Sequence, residues 1–188
     1  MQNTEKSIVQ LRRYSDSEPG IVADIISLVS EYFQWGNALS IKTCGFNFDI
    51  ENMMKSFLTE LPLYDRNDTR LYVLYMRNQA IGLGGYKRNN KTTAEIKRVF
   101  VKESFRRQGF GRSLLLRLIT DAKKYNFDRM ILETAKFMTE ADALYRQIGF
   151  VETPNYLGVE TPLEFQSIIH CMEIALHDQS RSFNGDRN

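Results

Sequence analysis

A short basic segment with two glycines, residues 106–111 (Arg-Arg-Gln-Gly-Phe-Gly), lies between a predicted strand and a predicted helix. The first N–H groups of a helix have no partner inside the helix, and the helix dipole adds partial positive charge there. Glycines let an anion approach the backbone, so the segment predicts a phosphate-binding turn. It lacks the Lys-Ser/Thr of a Walker A loop and the third glycine of a dinucleotide fingerprint. The alternative is a basic turn that only caps the helix.

The positive charge of the chain is concentrated around this segment. Residues 86–129 carry thirteen lysines and arginines against four acidic residues, a net charge of +9, whereas the other residues carry −7. A basic region inside an acidic remainder indicates that one place holds a polyanion and another holds a cation. The alternative that charge counts leave open is a set of solvated surface faces.

Composition restricts the class of protein. With 188 residues, 43% hydrophobic and 26% charged, the chain is expected to form one globular domain over residues 1–176, followed by a disordered tail over 177–188. The sequence has no signal peptide and no apolar run long enough for a membrane, so we expect a cytoplasmic protein. No disulfide framework and no metal site are expected from the spacing of the cysteines and histidines, Cys44, Cys171, His170 and His177.

Hydrophobic spacing predicts a mixed order of strands and helices. Apolar residues at helical spacing predict helices from Pro19 to about Trp35 and over 50–61, 109–125 and 139–148. Alternating or short apolar runs predict strands over 7–14, 71–76, 80–86, 93–101, 130–134, 150–153 and 168–176, with a loop over 154–164. Three consecutive strands form a meander, and the strand, helix and strand that follow imply a parallel crossover.

Two segments together resemble one known family. Residues 106–111 resemble the pyrophosphate loop of the GNAT N-acetyltransferase superfamily, and residues 143–150 (Ala-Leu-Tyr-Arg-Gln-Ile-Gly-Phe) resemble a second motif of that family. The resemblance extends over roughly residues 70–153. It implies an α/β (α+β) fold with a mixed, mostly antiparallel sheet of about seven strands and about four helices. It also implies that the sheet is splayed between strands four and five, with acetyl-CoA wedged in the gap.

The resemblance assigns cofactor-binding residues by position. The main chain of Val99, Phe100 and Val101 would pair with the pantetheine arm. Met138 stands where many relatives have an asparagine and would pack against the pantetheine, or simply in the core. The diphosphate would be held by main-chain amides, with long-range attraction from arginine side chains, in the segment Arg106, Arg107, Gln108, Gly109, Phe110, Gly111, Arg112 and Ser113.

The resemblance also assigns the catalytic residues. Acetyl transfer to an amine needs a base for the amine, a donor to the oxyanion and a proton for the thiolate. Glu95 is the candidate base, although it could instead only pair with Lys97 on the same strand or with an arginine of a neighbouring strand. Tyr145 is the candidate acid, with a half-buried core tyrosine as the alternative. The oxyanion donor would be the main-chain N–H of Val99 or Phe100.

The acceptor would bind among aromatic and acidic residues of the first two helices and of the loop before the last strand. Glu31, Trp35 and Tyr156 are the candidates, and this mixture suits a cationic amine. The alternative is ordinary core together with solvated helix faces.

We therefore expect an acetyl-CoA-dependent N-acetyltransferase that acts on a primary amine, of a small molecule, by direct attack in a ternary complex. One alternative is a non-catalytic acyl-CoA-binding or sensing module, and another is a protein or peptide N-acetyltransferase. No nucleic-acid partner is expected, because the basic region has no interleaved exposed aromatic residues. No membrane partner is expected, because the sequence has no apolar run long enough to span a membrane. A homodimer is compatible with this prediction.

Overall fold

A computed structural model describes residues 9–154 and 163–177, with the side chains of 163–165 left out. The elements are β1 (Val9–Arg13), α1 (Pro19–Cys44), α2 (Ile50–Glu60), β2 (Arg70–Met76), β3 (Gln79–Arg88), β4 (Thr93–Val101), α3 (Phe110–Lys124), β5 (Arg129–Ala135), α4 (Thr139–Ile148), β6 (Val151–Thr153) and β7 (Ile169–Ala175). Short 3₁₀ turns cover Leu61–Asp65, Glu103–Phe105 and Leu163–Ile168. Residues 178–188 of the predicted tail 177–188 and most of the predicted loop 154–164 lie outside the described residues.

The seven strands form one sheet in the order β1-β2-β3-β4-β5-β7-β6. Every pair is antiparallel except β4 with β5, which is the predicted parallel crossover. Only Thr93–Glu95 of β4 pair with β5, opposite 129–131, so the two strands diverge beyond Glu95. The prediction of a mixed, mostly antiparallel sheet with four helices, splayed between strands four and five, is confirmed.

The two faces of the sheet bury separate cores. One core packs α3 and α4 against the sheet through residues such as Ile96, Leu114 and Leu118. The other packs α1 and α2 against the opposite face, where Phe33, Leu83 and Phe100 are buried. Each strand residue therefore faces either the α3 side or the α1 side, as the two-residue period of a strand requires.

The first helix is nine residues longer than predicted. It continues through Gly36 to Cys44 and ends at Gly45, a left-handed cap whose N–H donates to the carbonyl of Ile41. The backbone stays helical at Gly36, so the helix does not end there. The side chain of Met138 lies 3.6 Å from the position that a Cβ of residue 36 would take. The second helix begins as predicted, with Asp49 accepting a hydrogen bond from the N–H of Asn52.

A bulge in β4 produces the divergence from β5. The register with β3 passes from Gly85 opposite Lys97 to Leu83 opposite Phe100, so β4 has one more residue than its partner over this stretch. Arg98 lies in the bulge with a left-handed backbone, φ 60°. A bulge bends and twists the strand that carries it, which turns the end of β4 away from β5.

The helix α3 is fixed to the sheet by a buried carboxylate. Asp121 is 3% exposed and accepts hydrogen bonds from the hydroxyl of Tyr72, at 2.7 Å, and from Nε of Arg117, at 2.8 Å. Burial alone would raise the pKa of Asp121, but these two hydrogen bonds, together with the charges of Arg117 and Lys124, outweigh burial and lower the pKa below its usual value of 3.8.

Asp121→Asn is expected to lower the free energy of unfolding by roughly 1–3 kcal/mol at pH 7, because the hydrogen bonds to a charged acceptor are lost. A depressed pKa stabilises the fold above pH 3.8, and this contribution disappears as the pH falls through the lower folded-state value. The difference between wild type and variant, followed by thermal melts in circular dichroism, should therefore shrink in strong acid. A constant difference across pH would contradict the assignment.

Within 9–154 and 163–177, no helix combines the length and the apolar character needed to cross a membrane. The same part of the chain holds no group of three or more His, Cys, Asp or Glu side chains placed to bind a metal ion.

Candidate active site

Among the described residues, the main chain of β4 has no strand partner on the side that faces β5, from Ile96 to Val101. The side chains of this stretch are used elsewhere: Val99 and Val101 pack on the α3 side, and Phe100 is buried on the α1 side. The gap between the strands therefore offers backbone donors and acceptors rather than side chains. This is the kind of edge that can pair with an extended amide-containing arm.

The second half of the turn that follows β4 presents several amides without a backbone partner in the described part of the chain. Arg107 and Gly109 have left-handed backbones, with φ of 60° and 84°, and α3 begins at Phe110. The first helix N–H with a recorded backbone acceptor is that of Ser113, which donates to Gly109 at 2.9 Å, so the amides of 107–112 remain open among the described residues. Convergent amides at a helix N-terminus fit a diphosphate.

The Arg106 side chain does not point into this ring of amides. Its Nε donates to the carbonyl of Val101 at 3.0 Å, and its guanidinium lies 4.2 Å from the ring centroid of Trp35 and 5.8 Å from that of Phe100. A cation stacked on aromatic rings contributes packing as well as charge. Arg106 therefore attaches the turn to α1, whereas Gln108, Arg112 and Ser113 are exposed.

An exposed ion pair spans the turn and the first turn of α4. Arg107 donates to Glu140 at 2.7 Å, and the two side chains are 86% and 59% exposed. The hydrogen bond from Arg107 lowers the pKa of Glu140, so the carboxylate stays charged at neutral pH. A negative charge beside this turn would compete with a bound phosphate for Arg107.

Glu140→Gln is expected to tighten coenzyme A binding by about two- to fivefold at low ionic strength, because exposed pairs are weak and strongly screened. Calorimetric titration with coenzyme A at low and high salt measures this, and the gain should vanish at about 1 M salt. Glu18→Gln is the matched control, since Glu18 pairs with Arg12 in a similarly exposed contact away from the turn. Weaker binding by the Glu140 variant would contradict the prediction.

Glu95 lies on the α1 side of β4, at the last residue that still pairs with β5. It is 4% exposed, and its Oε1 is 2.6 Å from Nζ of Lys97, which is also buried. Opposite Glu95 on β3, Lys87 pairs with Glu60 at 2.9 Å. The ion pair with Lys97, which the sequence suggested as the alternative role of Glu95, is therefore present. The carboxylate of Glu95 lies where the gap between β4 and β5 begins.

Tyr145 lies on α4, and its side chain belongs to the core on the α3 side of the sheet. It is 7% exposed, packs edge-on against Phe150, and its hydroxyl makes no hydrogen bond to any residue of 9–154 or 163–177. Burial raises its pKa, and the charge of a nearby Tyr32 adds to this shift. Tyr32 in turn lies 5.6 Å from the ring of Phe100. Tyr145 is thus protonated at neutral pH, with a hydroxyl free to donate.

The candidate acceptor residues of α1 contact the end of β4 and its turn. Glu31 forms an ion pair with Lys102 at 3.2 Å, and Trp35 stacks on Arg106 as described above. Met138 is half-buried and touches α1 at Gly36, so it reaches across the gap. Tyr156 lies outside the described residues.

Two residues near the gap were not singled out from the sequence. Arg98 occupies the bulge, and Glu133 lies two residues beyond Ile131, the partner of Glu95, and so on the same side of the sheet. The arginine reads as one more charge of a basic strand, because nothing in the sequence marks a bulge there.

Comparisons with known proteins agree with this fold. The model of the acetyltransferase (GNAT) family matches residues 34–150. Over 62 residues the chain is 47% identical to an uncharacterized N-acetyltransferase of Dictyostelium discoideum, a match that covers 33% of this chain and only 29% of that protein.

Two solved structures share the fold. A GNAT-family acetyltransferase of Staphylococcus aureus Mu50 has a TM-score of 0.70 at 20% identity, covering 90% of this chain and all of that one. The PaiA N-acetyltransferase of Thermoplasma acidophilum, in complex with coenzyme A, has a TM-score of 0.68 at 17% identity and covers 89% and 99%.

Proposed function

The chain belongs to the acetyltransferase (GNAT) family, and from that premise we propose that it transfers the acetyl group of acetyl-CoA to the primary amine of a small molecule. Family membership supports acetyl-CoA as the acetyl donor. The observation that carries the proposal is that two features lie next to each other along the chain. One is the edge of β4 that no described strand pairs with, and the other is the set of amides at residues 107–112 that have no backbone acceptor among the described residues. These two features fit the pantetheine arm and the diphosphate of one molecule.

The residues of the gap would then act on the acceptor. Bound acetyl-CoA supplies the thioester whose acetyl group moves: a C–N bond forms as the C–S bond breaks. Glu95 accepts a proton from the amine, directly or through water. The main-chain N–H of Val99 or Phe100 donates to the carbonyl oxygen as that atom gains negative charge. Tyr145, on α4, gives a proton to the departing thiolate.

The reaction itself is tested by incubating the protein with acetyl-CoA and a panel of amines and peptides. Free thiol and an acetylated small amine, identified by mass spectrometry, are the expected result. Binding of coenzyme A without thiol release from any member of the panel would favour a non-catalytic acyl-CoA module. Acetylation of peptides alone would contradict a small-molecule acceptor.

Tyr145→Phe is expected to lower kcat by roughly tenfold, because the thiolate loses its proton donor while thiols remain good leaving groups. The Kd of coenzyme A should change by less than about twofold, since the hydroxyl binds no other part of the cofactor in this mechanism. The assay is thiol release at saturating substrates.

Tyr86→Phe is the matched control for this variant. Tyr86 is fully buried, lies edge-on to Phe127 as Tyr145 does to Phe150, and has a hydroxyl without a hydrogen bond in the described part of the chain. It belongs to β3 and stands away from the gap. Equal losses of kcat in both variants would show that Tyr145 acts only through packing.

A further inference from the structure

The α1 side of the sheet carries charges that are matched in pairs. Glu60 pairs with Lys87 at 2.9 Å, and Glu95 pairs with Lys97 at 2.6 Å. Arg98, the next residue of β4, has no carboxylate partner among the side chains that the structure describes, which are those of residues 9–154 and 166–177. Among those side chains, Arg98 is therefore a cation of this surface without a matching carboxylate.

The surroundings of Arg98 make this lack of a partner unusual. Its guanidinium carbon lies 5.3 Å from the ring centroid of Phe33 on α1, and its Nε is buried without a hydrogen-bond acceptor in the described part of the chain. Buried polar atoms in proteins nearly always have a partner. The residue also holds a left-handed backbone, φ 60°, which a non-glycine residue adopts only at a cost. Strain and an orphaned donor in one residue are typical of a binding site.

The position of Arg98 relates it to the acceptor. It stands three residues beyond Glu95, where β4 has already left β5, and the contact with Phe33 shows that its side chain faces α1. Three residues of strand span about 10 Å between Cα atoms, and two flexible side chains shorten that separation. A group a few bonds away from an amine at Glu95 would therefore reach the guanidinium of Arg98.

A guanidinium offers a planar fork of N–H donors that binds a carboxylate through two parallel hydrogen bonds. We infer that the acceptor is an amino-carboxylate, a small amine that also carries a carboxylate, and that Arg98 binds this carboxylate. The inference rests on the proposed function, and it narrows the predicted cationic amine to one that is zwitterionic. Glu95 takes the amine end, and Arg98 takes the acid end.

The test uses several amino acids, each in three forms: the free acid, its carboxamide and the amine that lacks the carboxyl group. For phenylalanine these are phenylalanine itself, phenylalaninamide and phenethylamine. Each compound is compared with itself between wild type and Arg98→Gln, so differences in amine basicity cancel. The variant is expected to raise the KM of the acid by roughly 10- to 100-fold and to leave kcat/KM of the other two unchanged. Arg98→Lys should recover part of the loss for the acid.

Arg77→Gln is the matched control, because Arg77 is an exposed arginine with a left-handed backbone, φ 49°, in the β2–β3 turn. The Arg77→Gln substitution should leave the KM and kcat/KM of all three compounds unchanged. Circular dichroism melts show whether each variant folds. Equal losses of activity on all three compounds would mean that Arg98 acts through the fold. A preference of wild type for the two forms without a carboxylate, or for a phosphorylated amine, would also overturn the inference.

A binding measurement separates this inference from the proposed function. Calorimetry of the acids, with the protein saturated with coenzyme A, should show binding to wild type that Arg98→Gln weakens by the same factor. If no amine of the panel is acetylated, the proposed transfer fails, and weaker binding by the variant still supports a carboxylate site. If wild type and variant bind the acids equally, the inference is wrong whether or not transfer occurs.

Discussion

Replacement of Glu95 by glutamine is expected to lower kcat by roughly 100- to 10,000-fold, the range in which a general base contributes. Glutamine keeps the size of the side chain and loses the ability to accept the proton of the amine. The Kd of coenzyme A should stay within about twofold, because the base contacts the acceptor and not the cofactor. Thiol release with an acceptor identified from the panel, and calorimetry with coenzyme A, measure the two quantities.

The same substitution removes the carboxylate beside Lys97, so the fold is expected to lose stability, up to about 3–5 kcal/mol. Activity must therefore be measured well below the melting temperature. Glu60→Gln is the matched control: Glu60 also neutralises a lysine on the α1 side, at 2.9 Å, but belongs to α2 and not to the gap. If Glu95→Gln melts earlier yet keeps the turnover of Glu60→Gln, Glu95 is only an ion-pair partner.

Gly109→Ala is expected to weaken coenzyme A binding by roughly 100-fold while the protein still folds. The residue has φ of +84°, and a Cβ there would meet no atom within 4 Å, so the methyl group would stand in the open ring of amides. Two charge-assisted hydrogen bonds lost to a displaced phosphate, at about 1.5 kcal/mol each, account for that factor. Calorimetric titration with coenzyme A measures the change.

Gly45→Ala controls for the backbone strain of this variant. Gly45 has φ of +76° and equally open space around a Cβ, but it ends α1 far along the chain from the turn. Both variants should lose about 1–2 kcal/mol of stability, the cost of a left-handed alanine. Similar affinities of the two variants for coenzyme A would contradict the prediction that the turn binds the diphosphate.

The order of elements could be predicted from the sequence because each one carries a local signal. The meander is marked by two-residue alternation and polar turns, and α3 by an apolar stripe. The end of α1 could not be predicted, since Gly36 and the polar residues after it suggest an end, whereas the helix continues to the left-handed Gly45. Packing of Met138 against Gly36 comes from a part of the chain about a hundred residues away.

The open amides of the turn could be predicted from the sequence more readily than the directions of the side chains around them. Glycines and a helix start mark the ring of amides directly. The direction of Arg106 depends on Trp35 of another helix, and the sequence suggested attraction to phosphate instead. The bulge at Arg98 arises from the register between β3 and β4, a property of two strands that neither strand shows alone.

The stacking of Arg106 on Trp35 has a practical consequence, because the chain contains one tryptophan. All indole fluorescence of the protein therefore comes from the point where α1 meets the turn after β4. Ligands that shift this turn alter the polarity and the cation beside the indole, so the emission of the unlabelled protein follows occupancy of the turn in real time. Stopped-flow mixing can then resolve the order in which the two substrates enter.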